Sequence, residues 1–69
     1  MWREPVASTS IASIGYDAGT QTLEVEFEGG AVYQYHNVPK VVYEALQVAD
    51  SKGGFVNGVI KRYFSYTRV

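Results

Sequence analysis

The clearest pattern in the chain is a strict alternation of polar and apolar residues over positions 22–28, in which every polar residue after Thr22 is acidic. A period of two predicts a β-strand with one face packed in the core and one face in water. The two glycines that follow, Gly29 and Gly30, predict a hairpin turn, and residues 31–36 predict the returning strand. The apolar positions are Leu23, Val25 and Phe27, and the acidic positions are Glu24, Glu26 and Glu28.

The segments on either side of this hairpin predict the other elements. Residues 8–16 favour an earlier strand that ends in a turn. Pro39 suits the first position of a helix, and the apolar residues after it recur at helical spacing. Gly53 and Gly54 are expected to end that helix, and a short second helix is predicted over residues 55–62.

The order of these elements predicts an α+β domain. Strands grouped ahead of helices favour a small antiparallel three-stranded sheet packed against two short helices. Residues 63–69 alternate in character and can add a fourth, C-terminal strand, which gives the order β-β-β-α-α-β. Residues 1–7 show no period and are predicted to be a flexible N-terminal arm, so the single domain is expected to cover residues 8–69.

The length of the glycine turn decides which way the tyrosines of the third strand point. A three-residue turn places Tyr33 opposite Val25 and makes Tyr33 and Tyr35 part of the core. A two-residue turn exposes the same rings beside the glutamates, as a stacking platform. The first arrangement is favoured, because the second would bury Gln34 and His36 without partners at a cost of about 1–3 kcal/mol each.

Composition narrows the chemistry that the chain can perform. It has 69 residues, no cysteine and one histidine, His36, which excludes thiol chemistry and the common two-histidine metal sites. The glutamates lie on an open strand face, which does not perturb a pKa as catalysis requires. We therefore expect no catalytic residue, metal site or cofactor, and a protein that is not an enzyme.

The sequence also bears on where the protein is located. A helix that spans a bilayer needs about 20 apolar residues, and no apolar run of the chain approaches that length. No signal peptide is evident either, so a cytoplasmic location without membrane contact is expected.

Charge is unevenly distributed, although the net charge is only −1. All seven acidic residues lie within residues 1–50, whereas residues 51–69 hold four bases and no acid. Such a split indicates either a surface that faces a polyanion or two ends that neutralise each other across the fold. Within residues 61–68 bases are interleaved with aromatic rings, a combination that suits single-stranded nucleic acid, since cations contact phosphates and rings stack on bases.

Six short motifs follow one another along the chain: residues 11–17 (IASIGYD), 23–27 (LEVEF), 33–35 (YQY), 37–39 (NVP), 49–57 (ADSKGGFVN) and 63–66 (YFSY). This series, with Gly30 and Ile60 between its members, resembles the KTSC domain family. That family is found at the C-terminus of some lysyl-tRNA synthetases and as free-standing small bacterial proteins, and its hallmark is the central Tyr-x-Tyr. The resemblance implies a domain whose role is unassigned, with RNA binding suggested by the synthetase context.

The predicted function is weak binding of RNA or single-stranded nucleic acid by a non-catalytic module, through a basic and aromatic C-terminal face. The alternative is a protein-interaction or homodimerisation module that uses a sheet edge or a tyrosine-rich surface. One contiguous basic patch favours the first function, and bases paired with the glutamates favour the second. The candidate binding residues are Lys52, Asn57, Lys61, Arg62, Tyr66 and Arg68, with Tyr33 and Tyr35 added if their rings are exposed.

Overall fold

An antiparallel five-stranded sheet forms the centre of the computed structural model, which describes residues 1–69. The strands lie in the order β1-β2-β3-β4-β5, so each pairs with the strand that precedes or follows it in the chain. The helical segments lie between β4 and β5 in the sequence. The strands are β1 (Glu4–Pro5), β2 (Ile11–Asp17), β3 (Thr22–Phe27), β4 (Val32–Tyr35) and β5 (Tyr66–Arg68).

Two helices pack against one face of the sheet. The first, α1 (Lys40–Gln47), begins one residue later than predicted, because Pro39 is the extended N-cap residue and not the first helical position. The second helix covers residues 52–63 without a break, as α2 (Lys52–Phe55), a π-helical turn (Val56–Ile60) and α3 (Lys61–Tyr63). None of these helical segments is long and apolar enough to cross a bilayer.

The glycines predicted to end the first helix lie instead in the first turn of the second helix. Gly54 donates its backbone N–H to the Ser51 hydroxyl at 3.0 Å, so Ser51 caps the helix that contains both glycines. A Cβ at Gly53 would meet the Ser10 hydroxyl, which would have to turn away to make room for it. The predicted start of this helix at residue 55 is therefore three residues late.

The prediction of a three-stranded sheet with at most a fourth strand is wrong, because the sheet has five strands in the order β-β-β-β-α-α-β. The C-terminal segment does pair with β4. The strand that was missed is β1, in which Glu4 pairs with Ile14 and Pro5 with Ser13. It lies in the segment predicted to be an arm. Two residues cannot show a period, and a proline argues against a strand everywhere except at a sheet edge.

The register predicted for the central hairpin is confirmed. Leu23 pairs with Tyr35 and Val25 with Tyr33, and Gly30 has a φ of 97°, as the three-residue turn requires. We call the sheet face that carries these side chains the front face; the two helices cover it. The buried core consists of Ile11, Ile14, Leu23, Val25, Tyr35, Val38, Leu46, Val56 and Ile60.

The opposite, back face carries a polar network that the N-terminal segment completes. Arg3 forms an ion pair with Glu24, lies 3.8 Å from Glu26 and donates from Nε to the Ser13 hydroxyl at 2.9 Å. The amide of Gln34 donates to the other Glu24 oxygen at 2.8 Å. Glu24 is only 5% exposed, so the prediction that the glutamate face lies in water fails at this position.

Candidate functional site

An aromatic cluster continues the front face beyond the helical cover, across β3, β4 and β5. The ring centre of Tyr33 lies 5.5 Å from that of Phe27 and 5.1 Å from that of Tyr66. Tyr66 lies directly opposite Tyr35 in the β4–β5 ladder, with 5.9 Å between their ring centres. The edge-on and tilted geometries are those that aromatic rings prefer, so these contacts hold β5 against β4.

Two of the C-terminal bases lie on these rings. The Lys61 ammonium is 5.1 Å from the centre of the Phe27 ring, and the Arg68 guanidinium carbon is 5.8 Å from the centre of the Tyr33 ring. Both distances are within the range of cation–π attraction, about 6 Å. We call Phe27, Tyr33, Tyr66, Lys61 and Arg68 the cation–aromatic cluster.

Neither of these cations has a carboxylate partner. Both ion pairs of the molecule belong to Arg3, which contacts Glu24 and Glu26 on the back face. The glutamates are therefore not paired with the C-terminal bases. The positive charge of Lys61 and Arg68 is directed to the front side of the sheet.

The three tyrosines at this end of the front face differ in how much of the ring a ligand can reach. Tyr66 is 59% exposed and Tyr33 is half-buried, whereas Tyr35 is 1% exposed. Burial, followed by the nearby phenol groups of Tyr33 and Tyr66, raises the pKa of Tyr35, so its hydroxyl stays protonated. Tyr35 is therefore a core residue. It is a binding candidate only if its ring is exposed, and the buried ring removes it from the candidates.

The remaining predicted site residues lie outside the cluster. Lys52 donates to the Ala49 carbonyl at 3.4 Å, at the start of the second helix. Asn57 is exposed in the π-helical turn, and no hydrogen bond joins it to the cluster. The guanidinium of Arg62 lies 6.0 Å from the ring centre of its neighbour Tyr63, which forms a separate exposed pair.

Phe27 belongs to the cluster although its place in the alternating pattern predicts a core residue. It is the last residue of β3, it is half-buried, and Lys61 covers its ring. The only signal for this role is its position directly before the glycine turn, where a strand leaves the covered part of a sheet. Pattern alone does not show that α3 brings an ammonium group to that point.

A concave region away from the cluster lies between β1 and α1, beside the stacked rings of Tyr16 and Tyr43, whose centres are 4.6 Å apart. Its volume is about 160 Å³, below the about 300 Å³ at which pockets for small molecules begin. The hydroxyl of Tyr16 donates to the Val38 carbonyl at 2.6 Å, which ties β2 to the segment that enters α1. This region is structural.

Known proteins are similar to this chain in sequence and in fold. Residues 7–64 match the KTSC domain family. A protein of Tsukamurella paurometabola is 46% identical over 61 residues, which are 88% of this chain and 91% of that relative. A lysine–tRNA ligase of Trichormus variabilis is 44% identical over 54 residues, which are 78% of this chain and only 10% of the ligase.

A solved structure extends the similarity to three dimensions. The crystal structure of a KTSC domain protein from Yersinia pestis superimposes with a TM-score of 0.92 at 43% identity, over 99% of this chain and 96% of that one. The resemblance inferred from the six motifs is thereby confirmed. The chain belongs to the KTSC domain family.

Proposed function

We propose that this chain is a non-catalytic module that binds single-stranded RNA weakly through the cation–aromatic cluster. The observation that carries the proposal is the pair of cations, Lys61 and Arg68, held on aromatic rings without carboxylate partners beside the exposed ring of Tyr66. Unpaired cations contact phosphates, and an accessible ring stacks on a base. Each of these contacts tolerates any base, so little sequence preference is expected.

The geometry supports different tasks for the rings in this proposal. Phe27 and Tyr33 each have a cation on the ring, so they orient Lys61 and Arg68 rather than stack on a base. Tyr66 carries no such cation and is the ring that a base reaches. Stacking on one ring is worth about 1–3 kcal/mol per base. Two phosphate contacts give a salt slope of about −1.4 on a single strand.

The relatives support RNA as the nucleic acid. Proteins from Trichormus variabilis and from two Nostoc organisms that carry a matching segment are named lysine–tRNA ligases, and the segment is 10% of each. The matching segment is part of proteins whose names state an action on tRNA, which favours RNA over DNA as the ligand of the module. The back face carries two carboxylates, Glu24 and Glu26, against the one guanidinium of Arg3, and this excess of negative charge disfavours a phosphate backbone there. The front side is left for the contact.

The experiment is a fluorescence-anisotropy titration with a labelled single-stranded RNA of about 12 nucleotides. The double variant K61Q/R68Q is expected to weaken binding about tenfold or more and to flatten the salt slope. Tyr66→Ala is expected to weaken binding at least about fivefold, whereas Tyr66→Phe keeps the ring and the affinity. Lys52→Gln removes a positive charge outside the cluster and is the matched control.

Two outcomes would contradict the proposal. One is the absence of any binding by the wild-type chain at low salt. The other is an equal loss of affinity in Lys52→Gln and in the variants of the cluster, which would show that only net charge matters. A duplex of the same sequence and a DNA strand serve as further ligands, and binding of either more tightly than the single-stranded RNA would reassign the ligand.

A further inference from the structure

The outer edge of β5 carries unpaired main-chain groups. His36 donates its backbone N–H to the Ser65 carbonyl, and Val69 donates to the Val32 carbonyl, both at 2.9 Å. In an antiparallel ladder the residues that bond to the neighbouring strand alternate with residues whose N–H and C=O point the other way. The main-chain groups of Tyr66 and Arg68 therefore point away from β4, toward the open side of the sheet.

The other edge of the sheet is blocked. Strand β1 has two residues, and one of them, Pro5, has no backbone N–H to offer a further strand. Short strands and edge prolines are common means of preventing sheets from joining. Strand β5 has neither a proline nor an acidic residue, and all three of its residues are exposed. The two edges thus differ in whether they can accept another strand.

We infer that β5 pairs with β5 of a second copy of this chain, antiparallel, about a twofold axis at Thr67. In this register Tyr66 lies opposite the partner's Arg68, and Thr67 lies opposite its own copy. The alternation described above makes each Tyr66–Arg68 pair a hydrogen-bonded pair, so the two copies exchange four main-chain hydrogen bonds. No register shift or backbone rearrangement is needed.

The side chains of this strand fit the same register. Tyr66 and Arg68 lie on the front face, opposite Tyr35 and Tyr33 of the same chain. In the pair each guanidinium comes beside the partner's Tyr66 ring, which is a favourable cross-strand combination. The two Arg68 side chains lie diagonally and repel each other weakly, and salt screens that repulsion.

A pairing of three residues per strand is small. It buries less than the about 1,200 Å² of standard stable interfaces, so we expect a weak dimer that forms with rising concentration. The twofold axis is perpendicular to the sheet, which puts the cation–aromatic clusters of both copies on the same side. Any gain in RNA affinity from this doubling rests on the proposed function, whereas the pairing itself does not.

The experiment is sedimentation velocity without RNA, at protein concentrations from about 10 μM to about 1 mM. The ionic strength is about 0.1 M, where the Debye length of about 10 Å still exceeds the spacing of directly opposite residues. The wild-type mass is expected to rise toward twice that of the monomer. Thr67→Glu and Thr67→Lys each place like charges at the axis and are expected to stay monomeric. An equimolar mixture of the two variants is expected to recover the dimer. Thr20→Glu, at an exposed turn, is the control and dimerises like wild type.

Hydrogen exchange of single amides provides a second measurement that needs no variant. The N–H groups of Tyr66 and Arg68 are expected to become protected at high concentration, while that of Thr67, which faces β4, changes little. The inference is overturned if the wild-type chain stays monomeric throughout or if Thr67→Glu dimerises as well as wild type. It is also overturned if the mixture fails to associate while both variants give the far-UV spectrum of the folded chain.

Discussion

Replacing Arg3 by methionine tests whether the back-face network stabilises the fold. The change leaves Glu24, whose side chain is 6% exposed, without its cationic partner. Removing one partner of a buried ion pair costs about 3–5 kcal/mol. Arg3 itself is 28% exposed, so water replaces part of the lost interaction and we expect a loss of about 2 kcal/mol. A chain of this size has a total stability of about 3–10 kcal/mol.

Thermal and urea unfolding followed by circular dichroism measure this loss. A change of 2 kcal/mol corresponds to a fall in Tm of about 8–16 °C for so small a domain. The double variant R3M/E24Q is expected to lose less free energy of unfolding than its two single variants together, because the uncharged glutamine is not left as a buried charge without a partner. Lys40→Met removes an exposed base without a partner and is the control. A loss below about 0.5 kcal/mol in Arg3→Met would refute the reasoning.

The same network predicts how stability depends on pH. Burial raises the pKa of Glu24, but hydrogen bonds from Gln34 and Arg3 and the Arg3 charge outweigh it, so the pKa lies below its usual 4.5. A lowered folded-state pKa means that the stabilisation is complete above the unfolded value and is lost as the pH falls through the folded one. The Arg3→Met variant should therefore lose less stability between pH 5 and acid than wild type. Parallel pH profiles would contradict this account.

Two further substitutions test the contacts that place β1 and α1 on the sheet. Gly15→Ala is expected to lower the free energy of unfolding by about 1–3 kcal/mol, because the added Cβ would collide with the Trp2 carbonyl. Gly29→Ala is the control: its Cβ meets no atom within 4 Å, so the change should be nearly neutral in the same unfolding assay. Tyr16→Phe removes the hydrogen bond to the Val38 carbonyl and should lower the free energy of unfolding by about 1 kcal/mol. Tyr63→Phe, at an exposed position, is the control and should change it little. Equal effects of the two variants would disprove a specific role for the Tyr16 hydroxyl.

The central hairpin could be predicted from the sequence because two local rules agree on it. The alternation over residues 22–28 sets the faces, and the cost of burying Gln34 selects the three-residue turn that the positive φ of Gly30 confirms. Strand β1 could not be predicted in this way. Its position depends on a side chain, Arg3, that reaches a carboxylate 21 residues away, and on the absence of a side chain at Gly15.

The candidate site was predictable only in the part that depends on residues close in sequence. Residues close in sequence, Tyr66 and Arg68, come together because they share a strand face. Lys61 joins them only because the second helix returns over the end of β3, where it meets Phe27. Lys52 belongs to the same basic segment, yet it lies at the far end of that helix, nine residues before Lys61. The alternation of basic and aromatic residues in the sequence predicts that a basic, aromatic surface exists. The path of the second helix determines which of those residues lie on it.

The sheet separates the charges of this chain into two groups, and that separation connects its fold to its proposed function. Glu24 and Glu26 lie on the back face, where Arg3 contacts them, and Lys61 and Arg68 lie on the front, so these acids do not neutralise those bases. A net charge of −1 therefore coexists with a front side whose cations are unpaired. The alternation of β3 places both carboxylates on the back face, and Arg3, directly before β1, neutralises part of their charge there. The charge of each face thus depends on the sheet register and on this ion pair, which a count of charges along the chain does not show.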